Sequence, residues 1–140
     1  LLFVGSDIDD RAVQASNDNA RRLGLRGVTR FFTRDAALVE PPQRGGETFG
    51  PGLLLTNPPY GERLGEIDDL VPLYGLFGDR MRQVMLGWQS GVLLSDPQLG
   101  RAIGLKASRK HRLFNGPIEC RLFDIAISDR APEGVPKWRQ

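Results

Sequence analysis

A single cysteine, Cys120, among 140 residues leaves the chain with no internal disulfide. That usage suits a reducing compartment, and the expected location is cytoplasmic. Only one histidine, His111, is present, and no Cys or Asp spacing around it suggests a metal site, so no metal is expected. No apolar run approaches the roughly 20 residues that a bilayer span needs, so no membrane partner is expected either. A large excess of one sign of charge is missing too: 19 Lys and Arg face 17 Asp and Glu, a net charge of +2. That balance is compatible with a nucleic-acid partner without requiring one. An initiator Met and a signal segment are also absent, and the first residues already read as a strand, so the chain is expected to be cut from a longer one. What is there, 40% hydrophobic and 26% charged residues, is ordinary for one globular domain with a core of its own.

Apolar runs alternate with helical patterns along the chain. Leu1 to Val4 reads as a strand closed by a Gly5-Ser6 turn, followed by a helix that Asp9 or Asp10 caps and Gly24 stops. Val28 to Thr33 is a second strand, and residues 41 to 52, rich in Gly and Pro, read as a surface loop. Leu53 to Thr56 reads as a buried strand, and Leu70 to Met85 carries apolar residues at helical spacing. Gly91 to Ser95 is a further strand, with a short helix near Pro97 to Leu105. Two β-like segments, Lys106 to Phe114 and Ile118 to Ile127, follow, joined at Asn115-Gly116-Pro117, where Asn-Gly is a hairpin signal. Residues 1–128 are thus expected to form an α/β domain and 129–140 a flexible tail. Strand–helix alternation predicts a mostly parallel sheet covered on both faces, with the hairpin as an antiparallel edge.

In such sheets ligands sit beyond the carboxyl ends of the strands, so the strand exits are the places to search. The first is Gly5-Ser6-Asp7-Ile8-Asp9, where a carboxylate can accept from ribose hydroxyls and an Ile can pack on a base; caps and turn formers use the same residues. The second is Asp35-Ala36, where a carboxylate can face an adenine amino group or simply water. The third is Asn57-Pro58-Pro59-Tyr60. An exocyclic amine on a base is a poor nucleophile because its lone pair is delocalised into the ring. Two acceptors around its hydrogens, the Asn57 side-chain oxygen and the Pro58 carbonyl, hold the amine and localise that lone pair. Pro58 and Pro59 fix the backbone, and Tyr60 offers a face for a planar base. A Pro-rich turn explains the prolines alone, but not all four residues at a strand end.

Asn57-Pro58-Pro59-Tyr60 resembles motif IV of the S-adenosylmethionine-dependent amino methyltransferases. Three further stretches narrow the likeness: Gly61-Glu62-Arg63, Gly5-Ser6-Asp7-Ile8-Asp9 and Asn115-Gly116-Pro117-Ile118-Glu119-Cys120. Over about Leu2 to Ile127 the chain resembles the RlmL-type 23S ribosomal RNA guanine-N2 methyltransferases, which carry an N-terminal THUMP domain. The resemblance implies a Rossmann-like class I methyltransferase sheet, S-adenosylmethionine as cofactor and ribosomal RNA as partner. It implies that Asp7 binds the cofactor ribose, that Ile8 flanks the adenine, and that Asp35, beside Ala36, meets its amino group. Asn57, Pro58, Pro59 and Tyr60 would be catalytic, and Glu62 and Arg63, with Tyr60, would help place RNA. The family's first strand and its Gly-rich loop, which cradle the methionine part of the cofactor, should precede Leu1. In the family that strand lies between those carrying Asp7 and Asn57. The 140 residues alone are therefore expected to bind the cofactor weakly or not at all.

Two alternatives stay open. The same chemistry would serve adenine in DNA or RNA, or a protein glutamine; a non-catalytic RNA-binding module would keep the fold without the reaction. Lys106, Arg109, Lys110, His111 and Arg112 form a basic cluster that suits either RNA phosphates or a charged, protected edge strand. Cys120 reads as a packed core thiol and Trp88 as a cover for the core.

Overall fold

The computed structural model describes residues 2–59 and 66–129. Strand β1 (Phe3–Asp7) is followed by helix α1 (Asp10–Arg22), strand β2 (Thr29–Thr33) and a 3-10 turn at Ala36–Leu38. Two short strands, β3 (Gln43–Arg44) and β4 (Glu47–Thr48), precede β5 (Leu53–Thr56). Helix α2 (Glu66–Val84), strand β6 (Gln89–Leu94), helix α3 (Pro97–Ile103) and the hairpin of β7 (Arg109–Asn115) and β8 (Ile118–Ala126) complete the order. No helix among the described residues is long and apolar enough to cross a membrane.

Local chemistry explains the helix ends. The Asp9 carboxylate caps α1 by accepting from the Arg11 N–H, and the Arg11 guanidinium beside it holds the Asp9 carboxyl below the usual carboxylate range. At the other end Gly24, at φ +69°, donates to the Arg21 carbonyl while Leu25 donates to Ala20, which is a Schellman closure. Asp96 caps α3, Pro97 occupies its first turn, and Gly104 at φ +69° ends it. Helix α2 begins by Glu66, earlier than the apolar spacing from Leu70 predicts. Its first turn carries Glu66, Asp68 and Asp69, which face the positive end of the helix dipole, and it accommodates Pro72.

The strands form two main sheets. β1 and β2 pair in parallel; β5, β6, β8 and β7 form a four-stranded sheet in that order, parallel at β5–β6 and antiparallel thereafter. Helices α2 and α3 cover one face of the larger sheet, where Tyr74, Phe77, Met81, Leu99 and Ile103 meet Val92, Leu94, Phe123 and Ile125. Each such fully buried apolar side chain stabilises by roughly 1.5–3 kcal/mol. Cys120 is buried, and Trp88 closes the lower core, its indole lying across the backbone of Gly50 and Gly52.

Three expectations are corrected. Gly5-Ser6 is not a turn: β1 runs on to Asp7, and Gly5 lies where any Cβ would strike the Phe31 ring of the neighbouring strand. Residues 41–52 are not all loop, because Gly45 and Gly46, both at positive φ, close the small β3–β4 hairpin. The last hairpin turns where expected, with Gly116-Pro117 as its two-residue loop: Asn115 still pairs with Ile118 and Gly116 supplies the positive φ. Finally, Leu53–Thr56 is a strand but not a buried one, and the sheet is not covered on both faces. Leu53 and Leu55 are 59% and 66% exposed, because the two helices packed on this sheet both lie on the side of Leu54 and Val92. The tail expected over 129–140 falls outside the described residues apart from Asp129.

Candidate active site

The exits of β1, β2 and β5 open onto one cavity of about 280 Å³. Asp7 and Ile8 line it from the first exit, Arg34, Asp35 and Ala36 from the second, and Asn57, Pro58 and Pro59 from the third. Tyr74 and Phe77 of α2 add an aromatic wall, with Val39 and Leu54 beside them. Residues as far apart in the chain as Asp7 and Phe77 are thus brought together, because the carboxyl ends of all three strands reach this one cavity.

The two candidate cofactor carboxylates are each half engaged. Asp7 Oδ1 accepts from the Asp9 N–H at 2.9 Å, and Asp35 Oδ1 accepts from the Ala37 N–H at 2.8 Å, capping the 3-10 turn. The cap and ligand readings are therefore compatible, because a carboxylate has a second oxygen and neither Oδ2 has a hydrogen-bond partner among the described residues. Ile8 is 72% exposed and lines the cavity, so its side chain is free to pack on a ligand there. No hydrogen bond to the Asn57 side chain is present among the described residues, so its oxygen can accept from a ligand. Tyr60, Glu62 and Arg63 lie outside the described residues.

Two supports escape sequence reasoning. The Tyr74 hydroxyl, on a side chain only 1% exposed, donates to the Pro59 carbonyl at 2.8 Å. It thereby ties the Asn-Pro-Pro segment to α2, and its only sequence signal is a polar-tipped aromatic in an apolar helical stripe. The other support links the two sheets, which share no ladder. Glu40 accepts from Arg34 and from Arg80 of α2, each at 3.0 Å, while Arg80 Nε donates to the Val39 carbonyl at 2.9 Å. This bridge fixes the Asp35 exit against the same helix that holds Pro59. Replacing Tyr74 by Phe is expected to cost about 1 kcal/mol of stability in denaturant titrations. In the intact protein it should lower the rate of the reaction proposed below by about tenfold, with cofactor affinity unchanged, because it loosens only the acceptor segment.

A crevice at the carboxyl end of such a sheet, with an antiparallel hairpin at its far edge, is the architecture of class I methyltransferases. SMU.472, assigned as a methyltransferase and solved in complex with SAH, matches the chain with a TM-score of 0.75 and 28% identity, over 93% of this chain and 32% of its own. The family model of the RMKL-like methyltransferase domain, UPF0020, matches residues 1–124, and the chain belongs to that family. Two relatives named ribosomal RNA large subunit methyltransferase K/L agree. That from Syntrophotalea carbinolica is 43% identical over 91% of this chain and 18% of its own length. That from Methylococcus capsulatus is 42% identical over 96% of this chain and again 18% of its own length. The chain therefore spans less than a fifth of the length of the curated relatives it matches.

Proposed function

We propose that this chain forms the substrate-amine half and part of the cofactor site of an S-adenosylmethionine-dependent methyltransferase acting on ribosomal RNA, with the exocyclic N2 of a guanine as the target. The observation that carries this reading is the convergence of Asp7, Asp35 and Asn57-Pro58-Pro59 on one cavity. The residues fit the cofactor: two free carboxylate oxygens suit a ribose diol and an adenine amino group, and Ile8 suits the adenine face. When bound, S-adenosylmethionine supplies an electrophilic methyl group on a sulfonium centre. Asn57 Oδ1 and the Pro58 carbonyl accept the amine hydrogens and direct the nitrogen lone pair out of the ring plane. The Pro59 carbonyl already accepts from Tyr74, and the Pro58 carbonyl serves as the backbone acceptor in this reading. In this reading Tyr60 stacks on the base, and Glu62 and Arg63 help to place the RNA.

One edge of β1 and one edge of β5 are unpaired among the described residues, and no ladder joins these two strands. This supports a further strand between them; a methionine-binding loop and a THUMP domain in the same longer chain are what the family resemblance adds to the proposal. The isolated 140 residues would accordingly bind the cofactor weakly, and calorimetry showing micromolar binding would overturn that part. The activity itself is tested with the intact protein, the natural polypeptide that contains this chain, and radiolabelled S-adenosylmethionine. Ribosomal RNA, DNA and a release factor are offered in parallel, and the modified nucleosides are identified by mass spectrometry. N2-methylguanosine in ribosomal RNA is the expected product; methyladenine or methylglutamine would replace this reading with another amine substrate.

A further inference from the structure

The basic cluster near residue 110 is divided by the pleat of its strand. All of β7 is exposed, and its residues alternate between the two faces of the sheet. Arg109 and His111 fall on one face, opposite Asp124 and Leu122. Lys110, Arg112 and Phe114 fall on the other, opposite Phe123, Arg121 and Glu119 of β8. This second face is the one that α3 covers: Gly100 lies against the Phe123 ring, and beyond α3 the face is open.

That open stretch is cationic at a cost to the fold. Arg112 and Arg121 stand directly opposite each other in the ladder, an arrangement that destabilises a sheet. Glu119 neutralises Arg121 only, through a hydrogen bond of 2.5 Å. Arg112 has no acidic partner among the described residues; its guanidinium lies over the Phe114 ring, 5.4 Å from the centroid. Lys110 lies over the Phe123 ring at 4.7 Å, also without an acidic partner there. Phe114 itself is 60% exposed on an edge strand, where a bare ring invites unwanted association. A second cavity, of about 330 Å³, opens between this face and the end of β6, lined by Lys110, Arg121, Glu119, Ser95 and Asp96.

We propose that this face of the hairpin is a binding track for single-stranded RNA next to the target nucleotide, with Arg112 and Lys110 on phosphates and Phe114 stacked on a base. The proposal rests on the RNA reading above and adds to it where the strand runs. Unpaired cations alternating with an exposed ring form the pattern by which single strands are held. Position agrees, because Arg112 lies opposite Arg121, which pairs with Leu94 at the carboxyl end of β6, the strand beside β5, whose exit carries Asn57. Three strand spacings, roughly 15 Å, therefore separate the track on β7 from the amine site at the end of β5.

The test is fluorescence anisotropy of a short labelled single-stranded RNA with the intact protein, over a range of KCl concentrations. Arg112→Glu is expected to weaken binding by about tenfold or more, and Arg112→Ala to flatten the log–log salt slope by about 0.7. Phe114→Ala should weaken binding several-fold with the slope unchanged, since stacking releases no counterion. Arg109→Glu, on the opposite face, should leave binding nearly as it was. The melting temperature of Arg112→Ala should equal or exceed that of the parent, because a like-charge pair is removed, and this separates lost contact from lost fold. Unchanged binding by Arg112→Glu, or an equal loss from Arg109→Glu, would overturn the track. Duplex DNA bound as tightly and with the same dependence on Arg112 would overturn its assignment to single-stranded RNA. If Arg112→Glu loses RNA but the parent methylates none, the track stands and the proposed reaction fails. If the parent methylates ribosomal RNA and Arg112→Glu binds and reacts normally, the reaction stands and the track fails.

Discussion

Methyl transfer by the intact protein is expected to fall about 10²- to 10³-fold when Asn57 is replaced by alanine, with binding of S-adenosylhomocysteine unchanged. The expectation follows from where the residue sits. Asn57 leaves β5 at the cavity edge, next to Pro58 and Pro59, and no described residue hydrogen-bonds its side chain. A side chain that touched only the fold would leave the rate intact once the protein is folded. One that orients the amine acts on the transition state, where a single well-placed dipole is worth about 3–4 kcal/mol. Asn57→Asp keeps an acceptor oxygen in the same place and should retain more activity than Asn57→Ala. Single-turnover measurements at saturating cofactor separate the chemical step from binding. A rate within about twofold of the parent would mean that the fold is used for binding RNA rather than for modifying it.

The parts of this site that could be read from the sequence are those whose chemistry is local. Asp9 before a helical stripe and Gly24 after it define α1, because caps act within one turn. Asn57 to Pro59 stand out because two prolines and an amide follow an apolar run. Tyr74 cannot be found in this way: its role depends on a hydrogen bond across 15 residues to a backbone carbonyl, which no periodicity encodes. The Arg34–Glu40–Arg80 bridge is hidden for the same reason, since exposed-looking charges acquire a role only when α2 and the β2 exit are placed side by side. Burial was misleading at β5. An apolar run shows that a strand prefers to be covered, not whether a layer lies over it, and of the three leucines of β5 only Leu54 faces the helices. The same limit applies to the basic cluster, where the pleat decides which cations share a face and a sum of charges does not.

Two glycines of α2, three residues apart, should respond to alanine with opposite signs. At Gly78 a Cβ would stand 1.9 Å from the Ile103 carbonyl oxygen and 2.7 Å from its carbon, so α2 and α3 cross there backbone to backbone. No flexible side chain can yield; the helices must separate, and with them the buried contacts of Phe77, Met81 and Leu99. Overpacking of this kind costs about 3 kcal/mol or more, against which alanine regains about 1 kcal/mol of helix propensity. A net loss of about 2 kcal/mol or more is a large share of a typical stability of roughly 5–15 kcal/mol. At Gly75 the nearest atom to a new Cβ is the Ala102 carbonyl oxygen at 3.7 Å, an ordinary contact. There the propensity gain is unopposed, and Gly75→Ala is expected to stabilise by up to about 1 kcal/mol. Urea titrations read both, as a lower midpoint for Gly78→Ala and a higher one for Gly75→Ala. Because α2 also anchors Pro59 through Tyr74, the Gly78 variant should lose methyl transfer at temperatures where it is still folded. If Gly78→Ala proves as stable as the parent, the two helices do not cross as closely as described, and the support drawn here for the acceptor segment fails with them.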